Sequence, residues 1–401
     1  MRRYRCDPRH RFRAASPRHA LPPGIPMRQR LTLLAATTAC CLFATGTASA
    51  GTISFAPAVN SPTGGNFPSW GPGPAPIGVV TADFNGDGKA DIVSADFGGP
   101  GPVLMTGKGD GTFNPGTRVG TPGNGYGAVA AGDLNGDGRP DVVAQAWTFV
   151  ATFINNGDGT FADAKTYPTL EGAQQEVIVA DVNGDGTQDV LSLVPAGVKT
   201  WLGKGNGELD GKGSVTIPGA PTAFTVGNFD GDGKPDIAVN NTVLQRVHVA
   251  TNRGDGSFDL RGGSTSGLVT EDIRAGDFTG DGIDDVITAD SFSFSTTVLI
   301  SDGKGDFSKT NRVPLSGLGP TSIVVGDFDR DGNLDAVMSA VLNSKIMVFS
   351  GNGDGTIGRA GDHDVTSQPQ TPALADYDGD GKLDVVVAGS ANELSFLKNQ
   401  S

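Results

Sequence analysis

The sequence predicts an all-β chain: a β-propeller of seven four-stranded blades, with an N-terminal strand closing the last blade. Three observations predict it. A nine-residue Asp- and Gly-rich segment recurs seven times at a nearly fixed period, each copy lies between short β-like runs, and the seventh unit ends before its fourth strand.

The segments begin at Asp83, Asp133, Asp181, Asn228, Asp277, Asp327 and Asp376, separated by 50, 48, 47, 49, 50 and 49 residues. A repeat of this length outranks the two or three domains that 401 residues would otherwise suggest. A β-like run precedes each segment, as in Gly78-Val79-Val80-Thr81-Ala82, and another follows, as in Val385-Val386-Val387. A third run (Val103-Leu104-Met105; Lys345 to Phe349) leads to a turn such as Gly-Asp110-Gly-Thr-Phe113, and then to a fourth. Asp-Gly and Asn-Gly suit a tight hairpin that needs positive φ at its centre. Radial repetition of four-stranded units makes a propeller.

From the last Asp of each segment to the large apolar residue after the turn, the first six units count 20 to 22 residues, whereas only 17 follow Asp384. The fourth strand of unit seven is therefore missing. Gly51-Thr52-Ile53-Ser54-Phe55-Ala-Pro57-Ala-Val59 resembles Gly111-Thr112-Phe113-Asn-Pro115 and is expected to supply it.

Alternate oxygen ligands at positions 1, 3 and 5, a carbonyl at 7 and a glycine at 6 are what a hard cation requires. Loop one offers Asp83, Asn85, Asp87, the Lys89 carbonyl and Asp91; loop two, Asp133, Asn135, Asp137, Arg139 and Asp141. Loop three offers Asp181, Asn183, Asp185, Thr187 and Asp189; loop four, Asn228, Asp230, Asp232, Lys234 and Asp236. Loop five offers Asp277, Thr279, Asp281, Ile283 and Asp285. Loop six offers Asp327, Asp329, Asp331, Asn333 and Asp335, and loop seven Asp376, Asp378, Asp380, Lys382 and Asp384. An EF-hand would need a Glu at position 12 and flanking helices. Position 12 is Ser94, Ala144, Ser192, Val239, Thr288, Met338 or Val387, so position 9 is expected to give the last carboxylate.

A flexible all-oxygen cage favours Ca2+, up to seven ions in a structural role. Turn chemistry alone would need Asp and Gly but not four ligand-type side chains at alternate positions. Loops six and seven, with four Asp each, should bind more tightly than loop four with Asn228 or loop five with Thr279.

Met27, Arg28 and Arg30 precede an apolar stretch from Leu31 to Phe43 and then Ala48-Ser49-Ala50. This layout is that of a secretory signal peptide, residues 27–50, cleaved near Ala50. Residues 1–26 read as an Arg-rich leader or a misassigned start, and residues 51–401 as the single propeller. The apolar stretch falls short of the roughly 20 residues of a membrane helix, so no membrane insertion is expected. The expected location is outside the cell, at its surface or in the periplasm.

Cys6, Cys40 and Cys41 all lie in the leader, which leaves residues 51–401 without a disulfide. The leader also takes nine Arg and one Asp, leaving 21 bases against 43 acids, a net charge of −22. That balance excludes nucleic acid as a partner. Seven divalent ions would bring it to about −8, so calcium would stand in for the absent disulfides.

Gly-Asp-Phe-Asp-Arg-Asp-Gly-Asn-Leu-Asp335 and its counterparts, with the trailing Gly-Asp-Gly-Thr-Phe, resemble the FG-GAP/VCBS repeats of exported bacterial proteins and of integrin α-subunit propellers. The resemblance covers residues 51–401. It implies seven blades with the calcium loops on one face and ligands on the other, where lectins of similar repeat type hold sugars between blades. A monomer that binds a glycan or a surface protein is the expectation.

On the face opposite the loops, Trp70, Tyr126, Trp147 and Tyr167 are candidate ligand contacts, with Phe149, Phe292 and Phe294 nearby. Aromatic rings stack on sugars but also plug blade junctions. Phe55 to Asp83 is about eight residues longer than the equivalent connections, the excess lying within Pro62 to Pro76. No catalytic residues are assigned: residues 51–401 contain only His248 and His363, no Cys, no nucleophile elbow and no HExxH. A polysaccharide lyase or glycoside hydrolase on the propeller scaffold is the alternative; it would need paired carboxylates outside the loops and turns.

Overall fold

The computed structural model describes residues 52–62, 78–95, 101–120, 125–169, 176–316, 319–389 and 393–401. The leader, the predicted cleavage site, Trp70 and most of the long connection lie outside these residues. The described residues form seven four-stranded antiparallel sheets, one per repeat. In blades one to six the strands follow one another in chain order from inside to outside. Neighbouring inner strands touch in sequence around the ring, and the inner strand of blade seven, Pro369–Ala375, meets that of blade one, Val79–Ala82.

Burial explains the sequence pattern. Second strands such as Asp189–Val194 and Asp335–Ala340 are buried throughout because blades cover both faces, which is why they read as mainly apolar runs without an exposed alternate face. Outer strands such as Leu209–Thr216 and Phe307–Pro314 are largely exposed and rich in charged and polar residues, which blunts an open sheet edge. The core consists of apolar layers between adjacent blades; one layer, for example, stacks Phe278, Met338 and Phe349.

Blade seven is completed from the N-terminus, as the missing strand requires. Val59–Pro62 pairs antiparallel with Glu393–Leu397, the third strand of blade seven. Phe55 bridges Asn399 just as Phe161 bridges Asn155 in blade two. The regular strand begins at the last residue of the predicted segment, and the residues before it hold the chain by the Phe55 bridge and by bonds from Ala56 N to Lys398 O and from Gln400 N to Ser54 O, both 2.8 Å.

Charged side chains link the inner strands of four blades. Glu176, entering blade three, accepts the Phe224 N–H of blade four at 2.6 Å and faces the Arg274 guanidinium of blade five at 3.4 Å. Arg274 pairs more closely with Asp272, whose other oxygen accepts Ser322 Oγ–H and Ile323 N–H of blade six, both at 2.9 Å. Two carboxylates share one guanidinium, and burial pushes the more distant Glu176 up to about 8.

A free glutamate ionises near 4.5, so at Glu176 ionisation opposes folding. Its penalty is absent below pH 4.5 and grows as pH rises toward 8. Glu176→Gln should therefore flatten the decline of melting temperature over this range. Parallel pH profiles for the two proteins would refute this.

Candidate functional site

Each metal-type loop joins the inner and second strands of its blade, on the end of the ring that also carries the turns between third and outer strands. The local fold follows from its carboxylates. In loop one, Asp83 accepts the N–H groups of Gly86, Asp87 and Gly88 at 2.7, 3.1 and 2.8 Å. Asn85 accepts Asp87 N–H at 2.9 Å and Asp87 accepts Lys89 N–H at 3.0 Å. These bonds curl positions 1, 3 and 5 around one centre, and glycines with φ of 75° and 82° at positions 4 and 6 allow the turn. In loop six, Arg330 occupies position 4 at φ 60° and reaches the Gly381 carbonyl of loop seven.

Position 9 has a role that spacing did not reveal. In all seven loops its Asp is buried. One carboxylate oxygen accepts the N–H of position 2 at 2.8 to 3.1 Å. The other accepts a backbone N–H at the end of the third strand: Gly107, Asn155, Gly203, Asn252, Ser301, Gly351 or Asn399, at 2.8 to 2.9 Å. This Asp is thus a strut between loop and third strand, whatever it gives to a metal. Burial raises every one of these carboxyls, to about 6 in Asp141, Asp236 and Asp384 and about 7 in Asp285 and Asp335, with repulsion from the loop's other Asp residues adding to it.

The position 2 carbonyl reaches the next blade. Phe84 O accepts Asn155 Nδ2–H, Leu134 O accepts Gly207 N–H, Val182 O accepts Asn252 Nδ2–H, and Phe229 O accepts Ser301 Oγ–H. Phe278 O accepts Gly355 N–H, Phe328 O accepts Asn399 Nδ2–H, and Tyr377 O accepts Gly111 N–H across the closure. All seven joints carry such a bond, 2.8 to 3.1 Å long. Between blades four and five, Asn228 N–H also donates to the Asp284 carboxylate at 2.7 Å. An amide at position 228 spares that joint a second carboxylate.

The donor set fits a hard cation best in loops six and seven. One oxygen from each of Asp327, Asp329 and Asp335, and likewise from Asp376, Asp378 and Asp384, lies within 4.8 Å of the others. Asp329 Oδ2 is buried with no hydrogen-bond partner, so it is an acceptor that a hard cation would satisfy. In loops one, two and four the position 7 side chain does more than vary: Lys89, Arg139 and Lys234 pair with Asp87, Asp137 and Asp232.

The opposite end of the ring has a different surface. Trp147, Val243, Leu244, Leu268, Phe292, Phe294 and Leu342 are exposed there, in connections between second and third strands or between blades. The other exposed large apolar residues, Val59 and Leu260, lie on outer strands, so among the described residues none stands on the metal-loop end. Val269 and Phe294 hold φ of 50° and 46° at that same opposite end. The sequence candidates divide here. Trp147 is 54% exposed, whereas Tyr126, 1% exposed, packs against Phe149 and Phe153 in the core and presents no ring to a ligand. Tyr167 stacks near Trp201 at the junction of blades two and three, its hydroxyl accepting Leu209 N–H at 3.1 Å.

A family model described as FG-GAP-like repeat matches residues 83–144, 146–192, 181–239, 228–288, 277–338 and 337–387. Comparison with curated proteins gives no match. Among solved structures, a lectin from Agrocybe aegerita, described for specific recognition of non-reducing terminal N-acetylglucosamine, is 20% identical over 78% of this chain and 86% of its own, with a TM-score of 0.52. BBS1N in complex with ARL6DN is 11% identical over 86% and 96%, with a TM-score of 0.61. Virginiamycin B lyase from Staphylococcus aureus is 12% identical over 86% and 99%, with a TM-score of 0.56. At such identities the likeness is one of fold.

Proposed function

Because this chain belongs to the FG-GAP-like repeat family, we propose that it is an exported binding module for a carbohydrate or a surface protein, with calcium as the staple of its ring. The observation that carries this reading is the division between the two ends of the propeller. One end is given to acidic loops tied into the blade joints; the other gathers the exposed aromatic and aliphatic side chains.

Strain supports the same end. A β-branched residue such as Val269 at positive φ costs about 1–3 kcal/mol, and such strain persists where a working surface needs it. Export is supported by the signal-like segment 27–50. Calcium would be held by the oxygens of positions 1, 3, 5 and 9 and the position 7 carbonyl, and would neutralise carboxylates that otherwise repel one another. Among the described residues no helix is long and apolar enough to cross a membrane.

A calcium-loaded glycan array tests the reading. The wild-type protein should retain a glycan unchanged, and Trp147→Ala with Phe292→Ala should weaken binding at least about tenfold, as loss of buried aromatic contact does. Retention unaffected by both substitutions would remove this face from the proposal, and release of reducing or unsaturated ends would favour the lyase or hydrolase alternative. Chelation should lower the melting temperature by about 10 °C or more, since each lost site leaves several carboxylates unscreened. An unchanged melt after verified calcium removal would refute the staple.

A further inference from the structure

Loops six and seven have the same ligand-type residues, Asp at positions 1, 3, 5 and 9, yet the structure treats them differently. In loop six, Asp329 Oδ2 is buried without a partner, and among the described residues no Lys or Arg is ion-paired with any carboxylate of that loop. In loop seven, Lys398 lies between two of them: its Nζ pairs with Asp378 Oδ2 and stands 3.1 Å from Asp380 Oδ2. Lys398 comes from the end of the third strand of blade seven, next to Asn399, which donates to Phe328 O and Leu383 O. The equivalent residues of the other blades are Thr106, Ile154, Leu202, Thr251, Ile300 and Ser350. Only this blade places an ammonium at that point.

We propose that loop seven carries its own cation, Lys398, which competes with calcium for Asp378 and Asp380, so that loop six and not loop seven is the metal-dependent member of the pair. The inference rests on the calcium reading of the loops. An ammonium donates to position 3 and position 5 oxygens that a metal would need, and the two cations cannot both hold them in a space where three carboxylate oxygens already lie within 4.8 Å. Without metal, the Lys398 pairs pin the closing blade while the loop-six joint is left with uncompensated charge. The identical donor sets thus divide the work, one loop self-neutralised and one calling for an ion.

Terbium luminescence sensitised by tyrosine reads loop seven selectively. Its position 2 is Tyr377, whereas the other loops have Phe84, Leu134, Val182, Phe229, Phe278 and Phe328 there. The signal that disappears in Tyr377→Phe is the loop-seven signal. Lys398→Gln should raise terbium affinity in that signal at least about tenfold, as removal of a competing charge-assisted pair does, and lower the melting temperature of the calcium-free protein, with calcium restoring it. Lys398→Arg should behave like wild type.

Equal midpoints in wild type and Lys398→Gln would overturn the proposal while leaving calcium binding elsewhere intact. Failure of terbium or calcium to bind any loop would overturn both. If Lys398→Gln does not fold, the count of tightly bound calcium decides: Asp329→Asn should lose one ion and Asp378→Asn none, and the reverse pattern sinks the idea.

Discussion

Removing residues 51–59 should destabilise the protein by about 5 kcal/mol or more, because the segment contributes buried side chains as well as a strand edge. Ile53 and Phe55 are each 6% exposed, and the Phe55 ring meets Phe328 and His363 edge-on at 5.7 and 5.5 Å. Their loss alone withdraws about 1.5–3 kcal/mol apiece of apolar burial. The Ala56 and Gln400 backbone bonds go too, with the Phe55–Asn399 bridge and the pairing of Val59 with Phe396, which bares the end of the third strand of blade seven as an open edge that invites self-association. Urea unfolding and gel filtration measure both effects. A truncated protein that melts with the full chain would show that blade seven does not need this segment.

Asp335→Ala should destabilise by about 3 kcal/mol, even in calcium-free buffer. The substitution strands two buried N–H groups, Phe328 and Gly351, which now donate to the carboxylate at 2.8 and 2.9 Å, and each orphan costs about 1–3 kcal/mol. One effect opposes it: burial and repulsion by Asp329 and Asp327 hold this carboxyl up at about 7, so its removal relieves some strain. The two unpaired donors should prevail. Asp331→Ala, at the half-buried position 5, removes acceptors for Asn333 only and should cost less than about 1 kcal/mol. Equal losses in the two variants in calcium-free buffer would mean that the two bonds to Asp335 add nothing beyond an ordinary turn bond, and would remove the strut.

Much of this architecture is legible in the sequence because it is periodic. Seven Asp-Gly loops at 47 to 50 residues, and a last unit with too little chain, identify both the blades and their closure. The roles that escaped notice depend on which backbone groups the folded chain brings to a side chain, and residue types do not announce those. The strut from Asp91 reaches Gly107, 16 residues on, and Glu176 meets Arg274 at a separation of 98, a distance at which spacing carries no signal. Tyr126 and Tyr167 follow strand patterns that fit an exposed ring or a buried one equally well, and only the folded surroundings decide between them: Phe153 from the same blade beside Tyr126, and Trp201 from the next blade beside Tyr167. Lys398 was invisible for the opposite reason: a lysine near the end of the sequence announces nothing until strand pairing brings it to Asp378.

The bond from every position 2 carbonyl to the following blade means that no repeat in this array is terminal. An open solenoid frays from its ends, one unit at a time, and needs polar caps to stop it. Here the last neighbour of Tyr377 is Gly111, so the coupling runs in a circle and every unit has two partners. Unravelling cannot start at a margin; it must break two joints before any blade is released. The ring should accordingly unfold as one body.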